Sequence, residues 1–167
     1  MHQLLCASLF AKVDEQLERT THLMTFVPHN MLSWSPGMPR ALSMGFLLGH
    51  FLECCAGLCA ALYAAKPARL RHFLDLKAGE VNHDCTLLEA RERIAAYQAH
   101  IREGFNVLED ADLSMIVPTV FVPSGELLLT LLLGNLEHMV NHKHQLFMYL
   151  RLIGEDVSSK DLYHFRG

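Results

Sequence analysis

The stretch HMVNHKHQLFMYLRLIG, residues 138–154, places His138, His142 and His144 within seven positions. Imidazole is a common ligand for divalent metals, and two imidazoles four residues apart lie one turn apart on the same face of a helix. The chemistry this spacing suggests is metal binding. Spacing alone is weak evidence, because a chain with 11 histidines holds on the order of one such pair by chance. Position says more. On a helix, Leu131, Asn135, His138, His142, Gln145, Tyr149 and Leu152 share one stripe. Asn135, His138, His142 and Gln145 are therefore polar residues in the middle of a face with apolar ends. A face built only for packing would carry Leu or Ile there, and buried polar groups need partners. His144 falls off this stripe and is expected at solvent or a helix edge.

The candidate for a third ligand is His50, mid-helix in SMGFLLGHFLECC, with Phe46, Leu47 and Cys54 on its side. The competing reading is a core histidine bonded to a backbone or side-chain partner. Three neutral imidazoles with a fourth position open is the arrangement of a catalytic metal rather than a structural one. Such a metal lowers the pKa of water, binds thiolate or polarises a carbonyl. A ferritin-like di-iron site needs two Glu-x-x-His motifs on helices. Only Glu80-x-x-His83 matches, and it lies in a connection. No general base is identifiable: Glu53 and Glu137 are close in sequence, but their spacing does not aim them inward. The catalytic residues stay unassigned.

Four helical segments must position these histidines. The first, about residues 3–27, carries Leu5, Leu9, Val13, Leu17, Met24 and Val27 on one face. A breaker-rich loop, HNMLSWSPGMP, follows Pro28. The second helix is expected to start near Pro39 and to stop at Lys66-Pro67. A long connection, with a short helix around 68–75, leads to a third helix that starts near Thr86 and ends near Glu109. Thr86 with Glu89 is a possible capping box, and Ile94, Tyr97, Ile101, Phe105 and Leu108 form the apolar stripe. DADLSMIVPTVFVP reads as a loop with short extended character, since Pro118 and Pro123 argue against a central strand. The fourth helix is expected to be capped by Ser124, favoured by Glu126 and stopped by Gly154. A short first link and two longer ones predict an all-α four-helix bundle with a long crossover after the second or third helix. The 167 residues fit one domain.

Composition narrows the function classes. Hydrophobic residues make up 51% and charged residues 19%, which is globular rather than disordered. A net charge of -4 without a basic run gives no reason to expect nucleic acid as a partner. Cys6, Cys54, Cys55, Cys59 and Cys85 are an odd number and read as small packing residues in a reducing cytoplasm. Residues 44–65 are long and apolar enough to span a membrane, but His50 and Glu53 would be costly there, so no membrane is expected.

Three stretches resemble the DinB-like (YfiT-like) superfamily of metal-dependent enzymes. LSWSPGMPRALSMGFLLGH is similar to the family's Trp-x-Pro loop followed by a helix with a ligand histidine, here His50. EDADLSMIV resembles its acidic turn, and HMVNHKHQLFMYLRLIG its fourth-helix signature, with His138 and His142 as ligands. Where the family often has His-Glu-x-His-His-Arg-Gly-Gln, this chain has His138-Met139-Val140-Asn141-His142-Lys143-His144-Gln145. The resemblance implies a DinB-like helical bundle over residues 1–167. It implies one divalent ion, zinc or nickel, held by His50, His138 and His142. It further implies a small-molecule substrate, a low-molecular-weight thiol, a thiol-dependent transferase or hydrolase activity, and a homodimer. The alternative is a non-catalytic bundle that binds a metal or small molecule as a sensor or scaffold.

Overall fold

The computed structural model describes residues 4–78, 80–119 and 122–163. Four long helices dominate: α1 (Leu4–Leu23), α2 (Met44–Ala65), α3 (Leu87–Asn106) and α4 (Leu128–Leu152), followed by a short α5 (Ser159–Leu162). α2 packs against α3 and α4, and α1 packs against the same two, so α1 lies diagonally across the bundle from α2 and α3 from α4. The link after the third helix therefore crosses the bundle, as expected, and it is the first link that departs from expectation. The link between α1 and α2, residues 24–43, is as long as the others and itself crosses the diagonal, through 3-10 turns at Met24–Phe26 and His29–Met31.

α2 is the central element. It is apolar almost all round, and 67% of its most apolar stretch is buried. It supplies Leu47, Leu48, Phe51, Leu52, Leu58 and Leu62 to the core. A helix this apolar is what a buried core position requires. It begins at Met44 rather than near Pro39. Arg40 has φ 65° and breaks any helix there, while the Ser43 hydroxyl accepts the Phe46 N–H as the cap. α3 buries Ile94, Tyr97, Ile101 and Phe105, the stripe its periodicity predicted.

The acidic turn between α3 and α4 ties the bundle ends together. Asp110 accepts the backbone N–H groups of Leu5 and Cys6 at 3.1 and 2.9 Å, which supplies partners to the first turn of α1. Those bonds, the Cys6 N–H first among them, hold its carboxyl below the usual range. Asp112 pairs with Lys66 at the end of α2. Beyond the turn, β1 (Ile116–Val117) and β2 (Glu126–Leu127) form an antiparallel ribbon with Ile116 opposite Leu127. The ribbon replaces the predicted helix start. Ser124 does not cap α4, Gly125 turns the chain with φ +88°, and Leu127 precedes the first helical residue. At the other end Gly154, with φ +91°, stops α4 as expected.

Candidate metal centre

α2 and α4 run antiparallel. His50 faces His138 and His142, and seven residues further along α2 Gly57 faces Asn135. A Cβ at Gly57 would run into Asn135 Oδ1, so glycine permits the close approach of the two helices beside the histidines. The ring centroids of His50 and His142 are 4.4 Å apart, those of His138 and His142 4.5 Å, and those of His50 and His138 5.3 Å. One ligand nitrogen from each ring lies within 4.8 Å of the others. All three rings are half-buried. The stripe on α4 is thus not a core face. Its members Leu131, Asn135, His138, His142 and Gln145 flank the core, Tyr149 is buried, Leu152 is exposed, and the main buried face is Leu128, Leu132, Met139, Lys143, Leu146 and Leu150. His144 is exposed and lies off the cluster, with its ring 5.9 Å from that of Phe147.

Hydrogen bonds fix which nitrogens face the centre. His142 Nδ1 donates to Gln145 Oε1 at 3.1 Å, because the Gln145 amide nitrogen is committed to the Tyr149 hydroxyl at 3.0 Å. Tyr149 in turn donates to the Leu42 carbonyl at 3.2 Å and stacks edge-on against Trp34. The tryptophan loop therefore supports the orientation of His142. His142 Nε2 is left as a buried lone pair with no hydrogen-bond partner. His50 Nδ1 faces Asn82 Oδ1 and, at 3.1 Å, Glu53 Oε2, so it carries the proton and leaves Nε2 free. Burial, then the neighbouring His50, pushes the His138 pKa down. Burial also lowers that of His142, against the Gln145 hydrogen bond. Both shifts favour the neutral imidazoles that metals require. Glu137 is exposed.

Asn82 is a site residue that sequence reasoning missed. Its backbone has φ 62°, a conformation asparagine tolerates, and its N–H donates to the Gly49 carbonyl at 3.2 Å. A loop position distant in sequence from His50 gives no periodic signal.

The next residues were also missed. His83 Nε2 lies 2.8 Å from Glu89 Oε1 and 3.4 Å from Cys85 Sγ, and the three ligand atoms form a second group within 4.8 Å of one another. Burial and then Glu89 push the Cys85 thiol up to about 11, so it is no nucleophile as it stands. The Thr86 hydroxyl accepts the Glu89 N–H at 3.2 Å, as predicted, but the reciprocal half of the capping box is missing. The Glu89 carboxylate turns instead to His83 and Arg93. The other four cysteines are buried without disulfides, as read from the sequence.

No family model matches the chain, and no curated protein matches it. Among solved structures it matches the crystal structure of a DinB-like protein, YjoA, from Bacillus subtilis. The TM-score is 0.68 at 16% sequence identity, over 95% of this chain and 96% of that one. A match of this extent at so low an identity speaks to architecture, and the helix order and long links described above agree with it: the chain adopts the all-α DinB-like fold.

Proposed function

We propose that His50, His138 and His142 hold one divalent metal ion and that the protein is a metal-dependent enzyme acting on a small molecule. The observation that carries this reading is the buried Nε2 of His142, which has no partner and lies in a group of three imidazoles whose ligand atoms are within 4.8 Å. An unpartnered buried lone pair costs about 1–3 kcal/mol, and coordination removes that cost. The donor set suits zinc or nickel better than magnesium or calcium, which prefer oxygen. When bound, the ion supplies Lewis acidity that favours the deprotonated form of water or a thiol and polarises a carbonyl. Gln145 holds the His142 ring, and Asn82 and Glu53 the His50 ring, by their Nδ1 protons, which leaves the Nε2 of each for the ion. The reaction class is a thiol-dependent transfer or a hydrolysis, with a low-molecular-weight thiol as cosubstrate in the first case.

A second reading, a non-catalytic metal-binding bundle, is favoured by one observation. The carboxylate beside the centre, Glu53, is engaged with His50 Nδ1 and is not a free base. Elemental analysis of purified protein tests the centre. The wild type is expected to carry metal that His138→Ala/His142→Ala loses, and equal metal in both sinks the reading. A screen of metal-loaded protein with several thiols and electrophiles then separates enzyme from scaffold, uniform inactivity favouring the scaffold.

A further inference from the structure

We propose that His83, Cys85 and Glu89 form a second metal site, for a borderline-soft dication of the zinc class, that clamps the loop before α3 to the first turn of that helix. It uses none of the three histidines above and stands whether or not they bind metal. The donors are one imidazole, one thiolate and one carboxylate. Thiolate and imidazole together select zinc-like ions over magnesium and calcium. Tetrahedral zinc with Zn–N near 2.0 Å and Zn–S near 2.3 Å sets nitrogen and sulfur about 3.5 Å apart. His83 Nε2 and Cys85 Sγ are 3.4 Å apart. Glu89 Oε1, now 2.8 Å from the same nitrogen, needs only to back away by about half an ångström for an ion to enter between them.

Three features of the surroundings support a site rather than a chance meeting. The Glu89 carboxylate is withdrawn from the capping role its position offers and turned to the cluster. Arg93 lies 3.4 Å from that carboxylate and leaves the assembled site with a small net charge: dication, thiolate, carboxylate and guanidinium sum to one positive charge. An open cleft of about 400 Å³, lined by Ser43, Asp84, Cys85 and Thr86, lies against the cysteine end of the cluster. On binding, the Cys85 thiol proton leaves to solvent, and the His83 proton moves from Nε2 to Nδ1 as the nitrogen lone pair turns to the ion.

The site has a structural consequence for its neighbour. Asn82, which holds His50 Nδ1, is the residue before His83, and the His83 backbone packs on Gly49, the residue before His50. An ion at the second site therefore fixes the loop that orients the first.

Cobalt(II) is the probe, because only a thiolate ligand gives sulfur-to-cobalt charge transfer in the near ultraviolet. Full-length protein is stripped of metal and titrated with cobalt. The band is expected in the wild type, is kept in His138→Ala/His142→Ala, and disappears in Cys85→Ser together with one equivalent of bound cobalt per chain. Glu89→Gln keeps the cysteine and is expected to retain the band while weakening cobalt binding by more than the roughly tenfold that loss of an outer partner costs. Absence of the band in the wild type, or its survival in Cys85→Ser, overturns the proposal. Circular dichroism confirms that each variant is folded. If the three-histidine site alone is wrong, the band and its Cys85 dependence still appear.

Discussion

Gln145 accepts the Nδ1 proton of His142 at 3.1 Å and passes the constraint on to Tyr149, which anchors to the Leu42 carbonyl. The relay has one direction, since the amide nitrogen donates to Tyr149 and the oxygen must accept. Gln145→Leu removes the acceptor and frees the ring to choose the other tautomer. We expect metal affinity at the three-histidine centre to fall roughly 10–100-fold, with little loss of helix content. Metal titration followed by calorimetry checks this, and unchanged affinity would show that Gln145 does not orient His142.

His142 carries a cost in the metal-free protein. Its buried Nε2 has no partner, so His142→Leu should make the metal-free protein more stable, by about 1 kcal/mol. The same change should abolish stabilisation by added zinc at this centre. Urea unfolding with and without metal, in a Cys85→Ser background to silence the second group, reads both effects.

Acid should weaken the centre before it weakens the bundle. Burial holds the His138 and His142 pKa values below the ordinary histidine value. Between those lowered values and about pH 6.5 the unfolded chain binds more protons than the folded one, so folding stability rises with pH across that window and is lost as pH falls through it. Unfolding midpoints of metal-free protein at about pH 5 and pH 7.5 should differ more in the wild type than in His138→Ala/His142→Ala.

Two glycines should respond oppositely to alanine. A Cβ at Gly49 would collide with the His83 backbone, with His83 C at 3.0 Å and N at 3.1 Å besides the carbonyl oxygen. Gly49→Ala must displace the loop that carries Asn82, and a destabilisation of about 1–3 kcal/mol is expected. Gly134, in α4, has nothing within 4 Å of its notional Cβ. Gly134→Ala should stabilise by about 0.5–1 kcal/mol. Parallel denaturant melts decide, and equal effects would refute the close packing of Gly49.

Lys143 stands where the stripe reading did not look. It is 2% exposed and donates to Gln16 Oε1 at 2.7 Å and to the Leu162 carbonyl at 3.0 Å, joining α4 to α1 and to α5. Lys143→Met leaves those two acceptors unpaired. A loss of about 1–3 kcal/mol is expected, with faster amide exchange across α5 as its local signature.

What the sequence showed and hid follows from the range of the interactions. The α3 stripe and the stop at Gly154 were legible because periodicity and a left-handed glycine act locally. His50 was legible as a partner for His138 and His142 because an ionisable group in so apolar a helix demands a reason. The start of α2 was placed too early, since Pro39 suits a first turn but Arg40, in the left-handed region, ends the option. The start of α4 was misplaced because pairing of Ile116 with Leu127 competes with helix, and such pairing leaves no local mark. Asn82 and the meeting of His83, Cys85 and Glu89 depend on the path of one loop over Gly49. The polar stripe on α4 was real, yet it borders the core rather than entering it, because Lys143 and Met139 on the adjacent face take the interior.

His50 and His138 are separated by 88 residues of chain (138 − 50). An ion shared by them acts as a removable cross-link over most of the fold, and constraining a loop of that length restricts the unfolded chain far more than a local clip does. Chelation would then be felt as a change in how fast α2 and α4 part, so resistance to forced unfolding or proteolysis would track metal supply even where the resting structure does not change.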